Sequence, residues 1–343
     1  MPSALSFPPV SLPVAERFNL VRWCPRGDGG LVESLFLKLH LPELHAAFWA
    51  RYSLARPLPG HGDPAGALWA VWSDPSGPPV GGRDGWPVSE VATGRERFYL
   101  RIGPGELSMG RAAGRVAGGG GIEWDLTFET GSGSLVHFPF ESMYSSAFPP
   151  TKAVSPHVST RFYGTVRVGG RVVHVDGARG MQGHNWGPRH SDHYVWCHAN
   201  VFDGGDDAVF EAVSSELRLG PVSLPSTTLM YLRARGREVL LNRPLHLLRN
   251  RSRLDGMTWE FSGTDGGVRL GGRAWVEPDL VAGLEYVSSD GSVVPCVNGG
   301  MASLRIHVMG LPGGPLDLLA DHTATVELSG RAVPRGVPVI LRG

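Results

Sequence analysis

Gly180-Met181-Gln182-Gly183-His184-Asn185-Trp186-Gly187-Pro188-Arg189-His190 lies near the middle of the chain and sets His, Asn, Gln, Arg and Trp among three glycines. Glycine allows backbone geometry that other residues resist, so the segment is expected to turn sharply and aim its few large side chains. Directly after it runs Tyr194-Val195-Trp196-Cys197-His198-Ala199-Asn200-Val201-Phe202. Strand alternation divides that run into two faces. Val195, Cys197, Ala199 and Val201 form a small apolar one, and Tyr194, Trp196, His198, Asn200 and Phe202 an aromatic one with hydrogen-bonding tips. A core strand has no use for the second face, whereas a wall that touches a ligand does.

Working outward, the 343 residues suit two domains of about 150 residues each or one large one. Basic and acidic residues balance at 32 each, with no block of either sign, so binding to a phosphate backbone is not expected. Forty-eight glycines and 28 prolines fit many short strands joined by tight turns. Cys24, Cys197 and Cys296 are too few and too scattered for a disulfide framework or a zinc ribbon, and Cys197 reads as a small buried hydrophobe. Residues 1–14 lack the basic start and apolar core of a signal peptide, and no run reaches 18 apolar residues. The expectation is a cytoplasmic protein with no membrane span, monomeric or homodimeric.

Strand patterns cover 31–41, 46–55 (where aromatics alternate with Trp49, Arg51 and Ser53) and 67–72, while 74–87 reads as loop. Hairpins are expected around Gly103-Pro104-Gly105 and around Gly169-Gly170, the latter flanked by 162–168 and 171–175. Residues 135–144 are unusually apolar yet contain His137 and Glu141. Beyond the central stretch, strands are expected at 208–219, 227–234, 237–241, 257–262, 268–270 with 273–276, 304–308 and 323–328. With turns between them and no long amphipathic helix, the fold class is mainly β, as two antiparallel barrels in tandem with few helices. The division is placed at 1–190 and 191–343.

Nucleotide-binding glycine motifs, the Gly-x-Ser-x-Gly elbow and His-Glu-x-x-His are absent; Gly131-Ser132-Gly133-Ser134 lacks the elbow's pattern. His184, His190, Asp192, His193 and His198 are dense in sequence, but His190 and His193 fall on opposite faces of an extended segment. Ligands must converge on one point, so no metal is assigned. Arg189 has Asp192 nearby as a tether, and Asp203, Asp206 and Asp207 beside Gly204-Gly205 read as a solvated turn.

The run from Gly180 to Gly187 with the following Tyr194-x-Trp196 resembles the signature of the AttH/CrtC-like proteins, tandem lipocalin-like barrels that include carotenoid 1,2-hydratases and fungal intramolecular Diels–Alderases. His184-Asn185-Trp186-Gly187 matches, but Gly183 stands where the family often has Asp. The resemblance implies two lipocalin-like barrels, no cofactor and an apolar pocket. His184 and Trp186 match the family's His-x-Trp and are open to two readings: His184 orients water or an acid and Trp186 shelters a carbocation, or His184 caps the turn and Trp186 plugs a barrel end.

Protonating a carbon–carbon double bond needs an acid still protonated near neutral pH, which a desolvated carboxyl provides. Glu211, in Ala208-Val209-Phe210-Glu211-Ala212-Val213, is the first candidate, and Glu141 the second. Trp186, Tyr194, Trp196, His198, Asn200 and Phe202 are the expected substrate wall. The expected activity is cofactor-independent hydration or cyclisation of a hydrophobic polyene or isoprenoid. The alternatives are a pericyclic cyclase, needing only shape and donors such as Tyr194 or Asn200, and a lipocalin-like carrier without chemistry.

Overall fold

The computed structural model describes residues 14–27, 29–131, 133–191, 193–216, 218–219, 222–223 and 226–343. Outside them lie residues 1–13, Asp192 as the proposed partner of Arg189, Ser132 and part of the 208–219 strand.

Two large sheets make up the fold, one of 12 strands between Leu31 and Gly187 and one of 11 between His193 and Arg342. Among the described residues neighbouring strands are antiparallel except for one short parallel pair, Ala282–Val287 with Val339–Arg342. The α-helices among the described residues are α1 (Val14–Asn19), α2 (Ser142–Ser145) and α3 (Pro244–Arg249), with four single-turn 3-10 helices besides. The fold is therefore the mainly β, two-sheet architecture expected. None of the described helices is long and apolar enough to cross a membrane.

Inside each curled sheet, alternate residues build a core. In the first, Leu35, Leu37, Phe48, Ala50, Tyr52, Leu68 and Trp124 turn inward. The Tyr52 hydroxyl is satisfied there: it donates to the Ala113 carbonyl at 2.7 Å and accepts from Trp124 Nε1 at 2.8 Å. In the second, Val195, Cys197, Phe210, Trp259, Phe261 and Leu304 do the same. Such a side chain contributes about 1.5–3 kcal/mol when fully buried.

The Leu31–Leu41 strand is buried on both faces along nearly its whole length. Its odd-numbered leucines fill the first core, while Ser34, Phe36, Lys38 and His40 face the second sheet. His40 Nε2 crosses to the Gly300 carbonyl at 2.7 Å. Trp49, Trp69 and Val71 meet Leu284, Tyr286 and Cys296 in a small apolar cluster between the sheets. This seam explains why the Tyr194–Asn200 face is not solvent-exposed.

Several sequence expectations change. The central stretch is not a turn: it is the end of a 17-residue strand, Arg171–Gly187, paired with the 17-residue strand Lys152–Val168. Its glycines allow close approach instead. A Cβ on Gly180 would lie 2.1 Å from the Lys38 carbonyl oxygen, and one on Gly183 would lie 2.3 Å from the Phe36 ring. The 74–87 segment contains the strand Val80–Pro87. There a Cβ on Gly82 would come within 2.8 Å of the Gly118 backbone, so its glycines let the sheet close on itself.

Candidate active site

Lys152–Val168 and Arg171–Gly187 from the first sheet, with His193–Ala199 and Val209–Ser215 from the second, surround a cavity of about 140 Å³ at the seam. That volume is close to one known to take a benzene-sized ring. Domain seams are common places for such pockets.

Glu211 forms the polar focus of this wall and is 2% exposed. Val209–Ser215 alternates, so Phe210 and Ala212 enter the second core while Glu211 points to the seam. His137 Nε2 lies 2.8 Å from Oε1, the Ser155 hydroxyl donates at 2.9 Å to either oxygen, and Trp196 Nε1 donates at 3.1 Å. His137 and Ser155 belong to the chain of the first sheet, so these bonds cross the seam. Burial alone would push the carboxyl up. The charge and hydrogen bond of His137, with the Trp196 hydrogen bond, outweigh it and hold Glu211 at about 2. Desolvation by itself would favour a neutral Glu211; the three donors that meet this apolar-looking strand oppose it and lower the pKa.

His137 is the other half of the pair. Its Nδ1 lies 3.0 Å from the Ala153 carbonyl oxygen, and its Nε2 faces the carboxylate. Both ring nitrogens therefore face acceptors, and one proton must lie between Nε2 and Glu211. The sequence carries a weak signal for it, a histidine inside an apolar stretch that also holds Glu141. Glu141 is exposed beside α2 and does not reach the cavity.

Phe36 sets its edge against Trp196, with ring centroids 5.7 Å apart. It occupies the space that a side chain at position 183 would need, which accounts for glycine there. Tyr194 also lines the cavity and donates its hydroxyl to Glu327. Burial pushes the Tyr194 phenol upward, so it stays a donor.

The remaining expected wall residues lie elsewhere. His184 pairs in register with Leu35, whose side chain is in the first core. The His184 ring is directed to that inner side, and it borders the cavity without a free nitrogen: Nδ1 lies 2.6 Å from the Phe18 carbonyl oxygen and Nε2 2.8 Å from Glu33. Glu33 in turn accepts the backbone N–H groups of Arg22 and Trp23. Trp186 packs with Phe18, Tyr144 and Val154, under the Arg22 guanidinium at 3.9 Å. Both residues therefore fasten α1 and the segment after it onto the end of the first sheet.

His198 donates Nε2–H to the Val158 carbonyl at 2.7 Å, and Asn200 donates to the Gly180 carbonyl at 2.7 Å. They hold the sheets together beyond the cavity. Phe202 has left the alternation and lies in the second core. Among the described residues, no three His, Cys, Asp or Glu side chains are grouped to hold a metal ion.

No family model matches the sequence. An uncharacterized protein of Mycobacterium tuberculosis, found in strains CDC 1551 and H37Rv, is 28% identical over 321 residues, covering 92% of this chain and 91% of the relative. Among solved structures, a protein assigned as AttH from Nitrosomonas europaea superposes with a TM-score of 0.56 at 14% identity, over 94% of this chain and 98% of that one. Kievitone hydratase from Nectria haematococca superposes with a TM-score of 0.52 at 11% identity, over 88% and 89%. These likenesses are of fold: the chain has the lipocalin-like two-sheet architecture that the central motif implied.

Proposed function

We propose that the chain is a hydratase or cyclase acting on an unsaturated hydrophobic substrate by proton transfer at the His137–Glu211 pair. The observation that carries this reading is the 2.8 Å approach of His137 Nε2 to a buried carboxyl at the wall of an aromatic cavity, with Nδ1 turned to the Ala153 carbonyl. The fold shared with a hydratase supports it.

In the resting pair the proton lies between His137 Nε2 and the Glu211 carboxyl, 2.8 Å apart. An alkene seated against Glu211 takes that proton through the carboxyl, its π pair forming the new C–H bond. A carboxyl held this low is a strong acid once protonated, which suits so weak a base. The carboxylate left behind and the faces of Trp196 and Phe36 stabilise the cation. Water adds through oxygen and returns a proton to the pair, so the net change is addition of water; an internal alkene in its place closes a ring, and the ring cation then loses a C–H proton to the pair, so the net change is isomerisation.

The test is incubation with a panel of isoprenoid alkenes in D2O, followed by mass spectrometry. Proton-initiated chemistry places one solvent deuterium on carbon in each product. Glu211→Gln and His137→Gln each lower its formation by about 10²-fold or more, the usual scale for losing a general acid. Product without deuterium on carbon would identify a pericyclic cyclase, and recovery of every compound unchanged would leave a carrier.

A further inference from the structure

We propose that Arg51 is a head-group subsite of this cavity and that it takes a carboxylate carried by the substrate; the inference rests on reading the cavity as the substrate site. Alternation in Ala46–Arg56 sends Phe48, Ala50 and Tyr52 into the first core and Arg51 to the seam. Arg51 is only 5% exposed, yet it makes no hydrogen bond or ion pair among the described residues, and its buried Nε has no partner. Its guanidinium lies 4.0 Å over the Tyr286 ring and 5.4 Å from Trp69. Arg83 lies on that same Trp69 at 5.1 Å and adds a second positive charge.

A buried guanidinium ordinarily has a bidentate anionic partner. Both carboxylates of the cavity are engaged elsewhere. Glu211 is held by His137, Ser155 and Trp196, and Glu327 accepts from Tyr194 and, at 3.5 Å, from Asn298. Neither is within ion-pair distance of Arg51. His190, against Tyr286, does not compete as a cation: burial, followed by the Arg51 charge, lowers it to about 3.

The subsite is also placed to act with the proton-transfer pair. Arg51 is the cross-strand neighbour of Phe36, Phe36 contacts Trp196, and Trp196 donates to Glu211. A molecule lying along that row sets an anionic end on Arg51 and a double bond near Glu211. The substrate class is therefore an unsaturated acid rather than a hydrocarbon or a simple alcohol.

Titrating the full chain at pH 7 with geranic acid and with geraniol, followed by tryptophan fluorescence, compares two probes that differ only in the end group. The acid is expected to bind at least tenfold more tightly. Arg51→Met and Arg51→Gln should remove that preference while leaving geraniol binding within about twofold. Equal affinities in the unaltered protein, or a preference that survives in either folded variant, would overturn the subsite. Glu211→Gln keeps the preference for the acid, so the two proposals fail separately: deuterium incorporation that persists in Glu211→Gln removes the chemistry, and equal binding of the two probes removes the subsite.

Discussion

Replacing Glu211 with Gln should erase a specific portion of the protein's acid sensitivity. The folded state lowers the Glu211 pKa from 4.5 to about 2, with His137 and Trp196 overcoming burial. At about 1.36 kcal/mol for each tenfold change in acidity, the difference is roughly 3 kcal/mol. Because the folded pKa is the lower one, this stabilisation is fully present above pH 4.5 and is lost as pH falls toward 2. By pH 3 about 2 kcal/mol of it has gone. Gln keeps the shape, and an amide oxygen at the Oε1 position can accept from Trp196, Ser155 and His137 Nε2–H, so the variant folds but cannot titrate at this position. Urea denaturation of both proteins at pH 7, 5, 4 and 3 gives the stability difference between them, which should shift against the unaltered protein by about 2 kcal/mol between pH 7 and pH 3. A difference independent of pH would show that Glu211 is not held ionised by its donors, and the proton inventory of the pair would be wrong.

Other substitutions separate fastening from chemistry. Gly183→Asp drives a side chain into the Phe36 ring and should lower stability by about 1–3 kcal/mol, read from thermal unfolding; an unchanged midpoint would mean Phe36 does not occupy that space. His184→Ala strands the buried Glu33 carboxylate and should destabilise by about 3–5 kcal/mol in urea, with α1 becoming susceptible to limited proteolysis. Glu141→Gln alters an exposed side chain and should leave both turnover and stability unchanged; loss of turnover would return Glu141 to the site.

What the sequence discloses, and where it falls silent, follows from the range of each interaction. Alternation correctly separates the core face of 194–200 from its polar face, because period-two patterning is local. It cannot say what covers the polar face. Trp49, Arg51 and Ser53 are legible only as the alternate face of their strand, and the docking of the second sheet makes Arg51 a buried cation. Glu211 is legible as a carboxylate in an apolar strand, but its ionisation depends on His137, 74 residues away. The hairpin at Gly169-Gly170 is visible at its tip and invisible along its length, since register shifts between 154 and 163 on one strand and 176 and 184 on the other, with glycines among them, break the pattern. The His184–Trp186 motif draws attention by its composition, yet register turns its rings toward the first core.

The bonds from His137 and Ser155 to Glu211 run from the first half of the chain to the second sheet, so the pair proposed to move the proton is also a rivet. Arg51 stands on one side of that joint and Glu211 on the other. The reach between anchor and acid is then a dimension of the assembled halves, belonging to neither alone. Sliding one sheet past the other by a single residue would change that reach by about 3.3 Å, or more than two carbon–carbon bonds along a ligand. Repacking the joint, with the pocket walls left untouched, is thus a way to retune which double bond along a chain is offered to the acid.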